Sequence, residues 1–198
     1  MFSSGEKVGE AEEIMSDITK RAISASLKNL LCEKDLNKIT VQDIADDCGI
    51  NRQTFYYHFQ DIYDLVEWTC IEDTEKVLKE NRTYDTWQEG FLAVFALAKK
   101  DKVFIDNIYR SVSLEMLEQY LYRLVYPLLK NVVEEKSKGF SVRDEDKEYI
   151  AHFYKYAFVG VLLDWVRHDM SESPESIVEK VSRIVGGTIE SAFKNFSK

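Results

Sequence analysis

The side chains best suited to chemistry lie in one short run. From Ile39 to Phe59 the chain reads ITVQDIADDCGINRQTFYYHF. The guanidinium of Arg52 and the carboxamide of Gln53 can pair with base edges in the major groove of DNA. Thr54, Tyr56, Tyr57 and His58 offer hydroxyl and imidazole groups that suit phosphate contacts, which set register rather than read sequence. Thr40 followed by Asp43 has the form of a capping box at a helix start. Gly49 can take the left-handed conformation that ends a helix, and Cys48 is small enough for a tight turn. Asn51 can cap a second helix. Ile44, Ala45, Ile50, Phe55 and Phe59 supply the inward side. Two short helices around a glycine turn, the second with a polar outer face, describe a helix-turn-helix. The same pattern also describes a helical hairpin whose outer face is merely solvated, and pattern alone does not separate the two.

The elements that must hold this run are helical. Eight Gly and two Pro in 198 residues argue for long helices with short connections and against an all-β chain. Ile18, Ala22, Ile23, Leu27, Leu30 and Leu31 share a helical face that starts near Ser16. Short helices follow from Val41 and over Arg52–His58, then a longer one from about Asp61 to Asn81. Five more are expected near 84–99, 101–111, 113–137, 144–168 and 174–196, with Pro127 kinking the third of these and Pro174 opening the last. The total is about nine. The chain therefore divides into a flexible N-terminus (1–15), a helix-turn-helix domain (16–61, motif 40–59), a connecting helix (62–81) and a second helical domain (82–198).

Charge sharpens the picture. The net charge is -9. Residues 1–15 carry one Lys and four Glu, residues 16–60 carry six basic and six acidic side chains, and the remainder carries -6. The neutral stretch contains the candidate motif, and the acidic remainder limits nonspecific attraction to phosphate. Three widely spaced cysteines (Cys32, Cys48, Cys70) fit reduced thiols in the cytoplasm better than a disulfide framework. His58, His152 and His168 sit in no ligand cluster, so no metal or other cofactor is expected. The N-terminus lacks the apolar stretch of a signal peptide, and no apolar run is long enough to span a bilayer. No nucleophile–base pair and no Gly-rich phosphate loop is present, which sets an enzyme aside.

The run from Ile39 to Phe59 resembles the signature of the TetR family of transcriptional regulators: a Thr, then Asp-Ile-Ala, a small residue with Gly, then Thr-Phe-Tyr-x-His-Phe. The likeness extends over roughly residues 17–77. It implies an all-α fold with an N-terminal three-helix DNA-binding domain and a C-terminal helical ligand-binding and dimerisation domain. By position it implies that Arg52, Gln53 and Tyr57 face bases with Gln42 reaching in from the preceding helix. Thr40, Thr54, Tyr56 and His58 would contact or position the DNA backbone, and Asn51 could do either. The implied partners are double-stranded operator DNA, a second copy of the chain and a small-molecule effector, with no membrane. One departure matters: three residues after Phe59 the family usually has a phosphate-contacting Lys, and here Ile62 stands there. A shallower salt dependence is expected.

The second domain is rich in rings. Phe91, Phe95, Phe104, Tyr109, Tyr120 and Tyr154 are candidates for an effector pocket, although each alone is as well explained by core packing. Tyr84, Trp87 and Phe91, with Trp68 upstream, are similar to a TetR subgroup that includes the activator of the dihydroxyacetone kinase operon. That likeness raises activation, or control by a protein co-activator, as an alternative to repression by a directly bound effector. The broad apolar stripes at 144–168 and 174–196 are expected to form the dimer interface, with Gly160 and Gly186-Gly187 allowing close helix approach.

Overall fold

The computed structural model describes residues 4–78 and 86–197, with side chains from Glu13 onward. Among them the chain is helical without strands: α1 (Ser4–Leu30), a 3-10 turn (Leu36–Lys38), α2 (Val41–Cys48), α3 (Arg52–His58), α4 (Ile62–Leu78), α5 (Trp87–Lys100), α6 (Lys102–Ser111), α7 (Leu114–Lys136), α8 (Asp144–Arg167), α9 (Pro174–Val185) and α10 (Thr188–Phe196). Helical backbone begins at Ser4, twelve residues before the apolar period starts. Residues 4–15 include four Glu, an Ala, a Lys and a Met, which extend a helix without needing a buried face. Tyr84 and the expected final turn of the connecting helix lie outside the described residues.

Two compact units result: Met1–Thr69 with Val103–Ser111, and Cys70–Lys102 with Val112–Lys198. In the first, α1 packs on α2 and α3. Ile23, Leu27 and Leu31 of α1 are buried with Ile44, Phe55, Phe59, Leu65 and Val66, whereas Ile18 of the same expected stripe is exposed. Two buried hydrogen bonds tie the elements together: Ser26 Oγ donates to the Ile44 carbonyl (3.3 Å) and Thr69 Oγ1 to Ser24 Oγ (2.9 Å). Helix α6 belongs to this unit. Phe104 and Ile108 are buried, the Lys28 ammonium lies over the Phe104 ring, and Asn107 Nδ2 donates to the Leu31 carbonyl.

In the second unit α7 and α8 pack along each other, α5 packs on α9, and α10 touches α7, α8 and α9. Leu129, Val132, Val133, Ile150, Ala151, Tyr154, Phe158, Val185, Ile189 and Phe193 form the core. Helix α7 runs through Pro127 without ending. The expected single helix over 174–196 is two helices. Gly187 takes φ +77°, a conformation that favours glycine, and α10 starts there. The Gly186-Gly187 pair thus makes a corner, not a close-approach surface. Lys155 is 6% exposed. Its ammonium lies 4.3 Å from the ring centres of Tyr122 and Tyr156 and 5.9 Å from that of Tyr126, and it donates to His152 Nδ1 at 3.1 Å. The His152 ring stacks on Tyr126. Among the described residues no helix is long and apolar enough to cross a membrane, and no His, Cys, Asp and Glu converge as metal ligands.

Candidate nucleic-acid interface

The local chemistry of the α2–α3 corner follows its sequence. Thr40 Oγ1 accepts from the Asp43 backbone N–H (3.1 Å) while the Asp43 carboxylate accepts from the Thr40 N–H (2.7 Å), a reciprocal capping box. Thr40 Oγ1 also donates to Asp43 Oδ2 (2.7 Å), and the Lys34 ammonium sits 2.9 Å from the same oxygen. These hydrogen bonds to Thr40 and Lys34 hold the Asp43 carboxyl down to about 2. Gly49 ends α2 at φ +69°, with its N–H bonded back to the Ala45 and Asp46 carbonyls. Asn51 Oδ1 then accepts the Thr54 N–H (2.8 Å) and the Thr54 hydroxyl (3.2 Å), so Asn51 caps α3.

Replacing Thr40 with alanine is expected to lower stability by about 1 kcal/mol, as cap removal commonly does. The Asp43 contribution has a defined pH dependence. Because the folded carboxyl titrates below its ordinary value of 3.8, the stabilisation is present above that value and is lost as the pH falls through about 2. Thermal melts of Asp43→Asn and the unsubstituted chain should therefore differ at neutral pH and converge across that window. A gap that persists at the acid end would show that the box does not act through this carboxylate.

Helix α3 is amphipathic in a useful sense. Phe55 and Phe59 are buried, Phe55 fully, and Phe59 meets Trp68 edge-on. Arg52, Gln53, Tyr56 and Tyr57 are exposed on the other side, Tyr57 at 82%. Arg52 Nη2 donates to the Tyr56 hydroxyl (3.0 Å) and its guanidinium lies over that ring. Gln42 on α2 is exposed, with its carboxamide donating to Asp46 Oδ1 (2.7 Å). Both pairs have the four-residue helical spacing, so the sequence carried a signal for them. The Lys34–Asp43 pair joins distant segments and had none. His58 is set differently from its neighbours. It is half-buried against α1, with Nδ1 3.5 Å from Ser16 Oγ, and burial together with the Lys20 charge lowers its pKa, so the ring is neutral at neutral pH. Ile62 opens α4 beside Asp61, whose carboxylate accepts the Asp64 N–H, and Asp64 in turn accepts the Gln60 N–H.

The expected pocket residues are dispersed. Phe104 and Tyr109 lie in the first unit. In the second, Phe95 is buried edge-on to Trp165, Tyr120 is buried, and the Tyr154 hydroxyl is 2.6 Å from Thr188 Oγ1. Phe91 alone of the six lines the apolar pocket of this unit, a cavity of about 70 Å³. Most of the remaining wall is aliphatic, from Leu78 of α4, Val94 of α5, Leu124, Val125, Leu128, Leu129 and Val132 of α7 and Val159 and Leu162 of α8, and the rings of Trp87 and Phe158 complete it beside Gly90. A search for rings overlooks such positions, and only the inward period of α7 could have marked them.

A second concave surface, about 730 Å³, runs along α8 and α9 between Tyr156, Gly160, Asp164, Lys180 and Ile184. Phe153 beside it is 62% exposed and Ile184 71%. A Cβ added at Gly160 would meet nothing within 4 Å.

Comparison with known proteins agrees with this construction. Residues 23–68 match the family described as bacterial regulatory proteins, tetR family, and residues 85–187 match the C-terminal region of transcriptional regulators of that kind. An HTH-type transcriptional activator of the dhaKLM operon, DhaS from Lactococcus lactis, is 26% identical over 148 residues, 74% of this chain and 78% of its own. An uncharacterized HTH-type transcriptional regulator from Bacillus subtilis, YxbF, is 21% identical over 177 residues, 86% of this chain and 46% of its own. The solved structure of a dihydroxyacetone kinase operon activator DhaS superposes with a TM-score of 0.67 at 22% identity, covering 91% of this chain and 99% of that one. The chain belongs to the tetR family of bacterial transcriptional regulators.

Proposed function

We propose that the protein binds an inverted-repeat operator as a homodimer through α2 and α3, and that an effector held in the second unit sets its affinity for DNA. The observation that carries this reading is the division of α3. Phe55 and Phe59 fix the helix to the first unit while Arg52, Gln53, Tyr56 and Tyr57 face outward as a contiguous polar surface. In the complex Arg52, Gln53 and Tyr57 read base edges with Gln42. Thr40, Thr54, Tyr56 and His58 lie along phosphates, and Asn51 acts through its cap. The exposed rings and Ile184 along α8 and α9 support pairing with a second copy, which places two recognition helices about one DNA turn, roughly 34 Å, apart or somewhat more. The protein acts in the cytoplasm, with the DNA.

Effector control follows if the ligand has different affinities for the DNA-competent and DNA-incompetent states. Helix α4 carries Leu65 and Val66 in the first unit's core and Leu78 in the wall of the second unit's pocket, so one continuous helix belongs to both. The likeness to an operon activator favours a second reading, in which the protein activates transcription under the control of a protein co-activator.

Selection of bound duplexes from a random DNA pool tests the DNA reading directly. An enriched inverted repeat is expected from the purified dimer. A single unpaired half-site, or no enrichment, would overturn a dimeric operator binder.

A further inference from the structure

We infer that the outer face of α1 pairs antiparallel with α1 of a second copy of the chain, a self-contact separate from the α8–α9 face. Helix α1 has two sides. Ile23 and Leu27 are fully buried in the first unit, and Ser16 Oγ lies 3.5 Å from His58 Nδ1 on that same side. On the opposite side Met15 is 63% exposed and Ile18 55%, Ala22 and Ala25 continue the exposed row, and Ile14 flanks it. The steps of three, four and three residues from Met15 to Ala25 are those of the seam of a helix pair. In the sequence the same steps run back through Ala11 to Val8. A row of exposed large apolar side chains marks a contact surface.

Charge selects the occupant and its direction. Residues 6–13 carry Glu6, Glu10, Glu12 and Glu13 against Lys7 alone, whereas residues 20–28 carry Lys20, Arg21 and Lys28 and no acid. The helix is acidic at one end and basic at the other, so its best complement is itself, reversed. A parallel pair would set like charges side by side, and an antiparallel pair sets each acidic end on the partner's basic end. The seam survives that reversal. Turning the helix end for end about the point between Met15 and Ile18 brings position 15 onto 18, 11 onto 22 and 8 onto 25. A helix pair of this length buries less than about 1,200 Å², the lower edge of a standard interface. The contact is therefore weak, sparse in micromolar solution and populated at hundreds of micromolar.

Sedimentation equilibrium of the full chain over roughly 1 to 500 µM reads the contact. A species of twice the mass present at the lowest concentration is expected to grow in as the concentration rises. Ile18→Glu should weaken this association about tenfold or more, since it places a charge in the seam from both copies. Arg21→Glu and Glu10→Lys should each weaken it roughly threefold or more, and mixing the two variants should restore it, because each then meets an opposite charge on the other. Circular dichroism checks that every variant keeps the parent's helix content and melting, with Met15→Glu replacing Ile18→Glu if that chain does not fold. In the Phe153→Asp/Ile184→Asp chain the same doubling is expected to start from a monomer, so a failed α8–α9 interface shows itself separately. No heavier species at the top of the range would overturn the inference. So would a mixture that associates no more tightly than its components, or a folded seam variant that associates as before. If such a seam variant instead loses operator affinity, the face belongs to DNA.

Discussion

Replacing Arg52 and Tyr57 together with alanine is expected to abolish discrimination between the operator and a scrambled duplex, with the protein still folded and dimeric. A well-placed base contact is worth about 1–3 kcal/mol, and a dimer repeats it in each half-site. The affinity for operator should fall roughly 100-fold or more, while binding to scrambled DNA, dominated by phosphate attraction, changes far less. Folding should be spared because both side chains are exposed and the anchors of α3 are Phe55 and Phe59. Arg52 is already held over Tyr56 before DNA arrives. Part of the roughly 2 kcal/mol of rotamer entropy that a free arginine carries is therefore lost in the free protein and need not be lost on binding. Competition measurements with the two duplexes decide the matter, and a variant that keeps its preference would remove Arg52 and Tyr57 from base readout.

The second large effect concerns the α8–α9 face. If the proposed dimer forms through this face, placing aspartate at Phe153 and Ile184 should convert it to a monomer, because each copy would then bring like charges into an apolar contact. Both positions are mostly solvent-exposed within the chain, so the monomer fold should change by little, about 0.5 kcal/mol or less per site. Operator affinity should drop by roughly 100-fold to 10,000-fold as the two half-sites lose their shared effective concentration. Analytical ultracentrifugation reads the first effect and operator titration the second. A double variant that still sediments as a dimer would place the interface elsewhere.

How much of this was legible in the sequence varied with the range of the interaction. The α2–α3 corner was nearly complete, since its capping box, its left-handed Gly49 and its Asn51 cap are all local, set by residues within four positions. The helix boundaries of the second unit were also close, except at Gly186-Gly187. There the apolar period continues from Val185 to Ile189 across a corner, and the backbone of Gly187 interrupts it. The pocket was the least readable. Six rings were singled out by type, but whether a ring faces a void or a neighbour depends on packing between distant helices. Phe104 sits in the other unit's core for that reason. Tyr154 likewise turns its hydroxyl to Thr188, 34 residues away.

The ring-enclosed Lys155 has a practical consequence for handling the protein. An ammonium attracted to aromatic faces and shielded from solvent is held by contacts that mobile ions barely reach, each worth about 0.5–2 kcal/mol. Lysines and arginines that meet phosphate act through displaced counterions, and their grip falls steeply with added salt. The joint between α7 and α8 should therefore stay closed across the ionic strengths that strip the protein from DNA. Operator complexes can be dissociated with salt, and the protein recovered with the packing of its second unit intact.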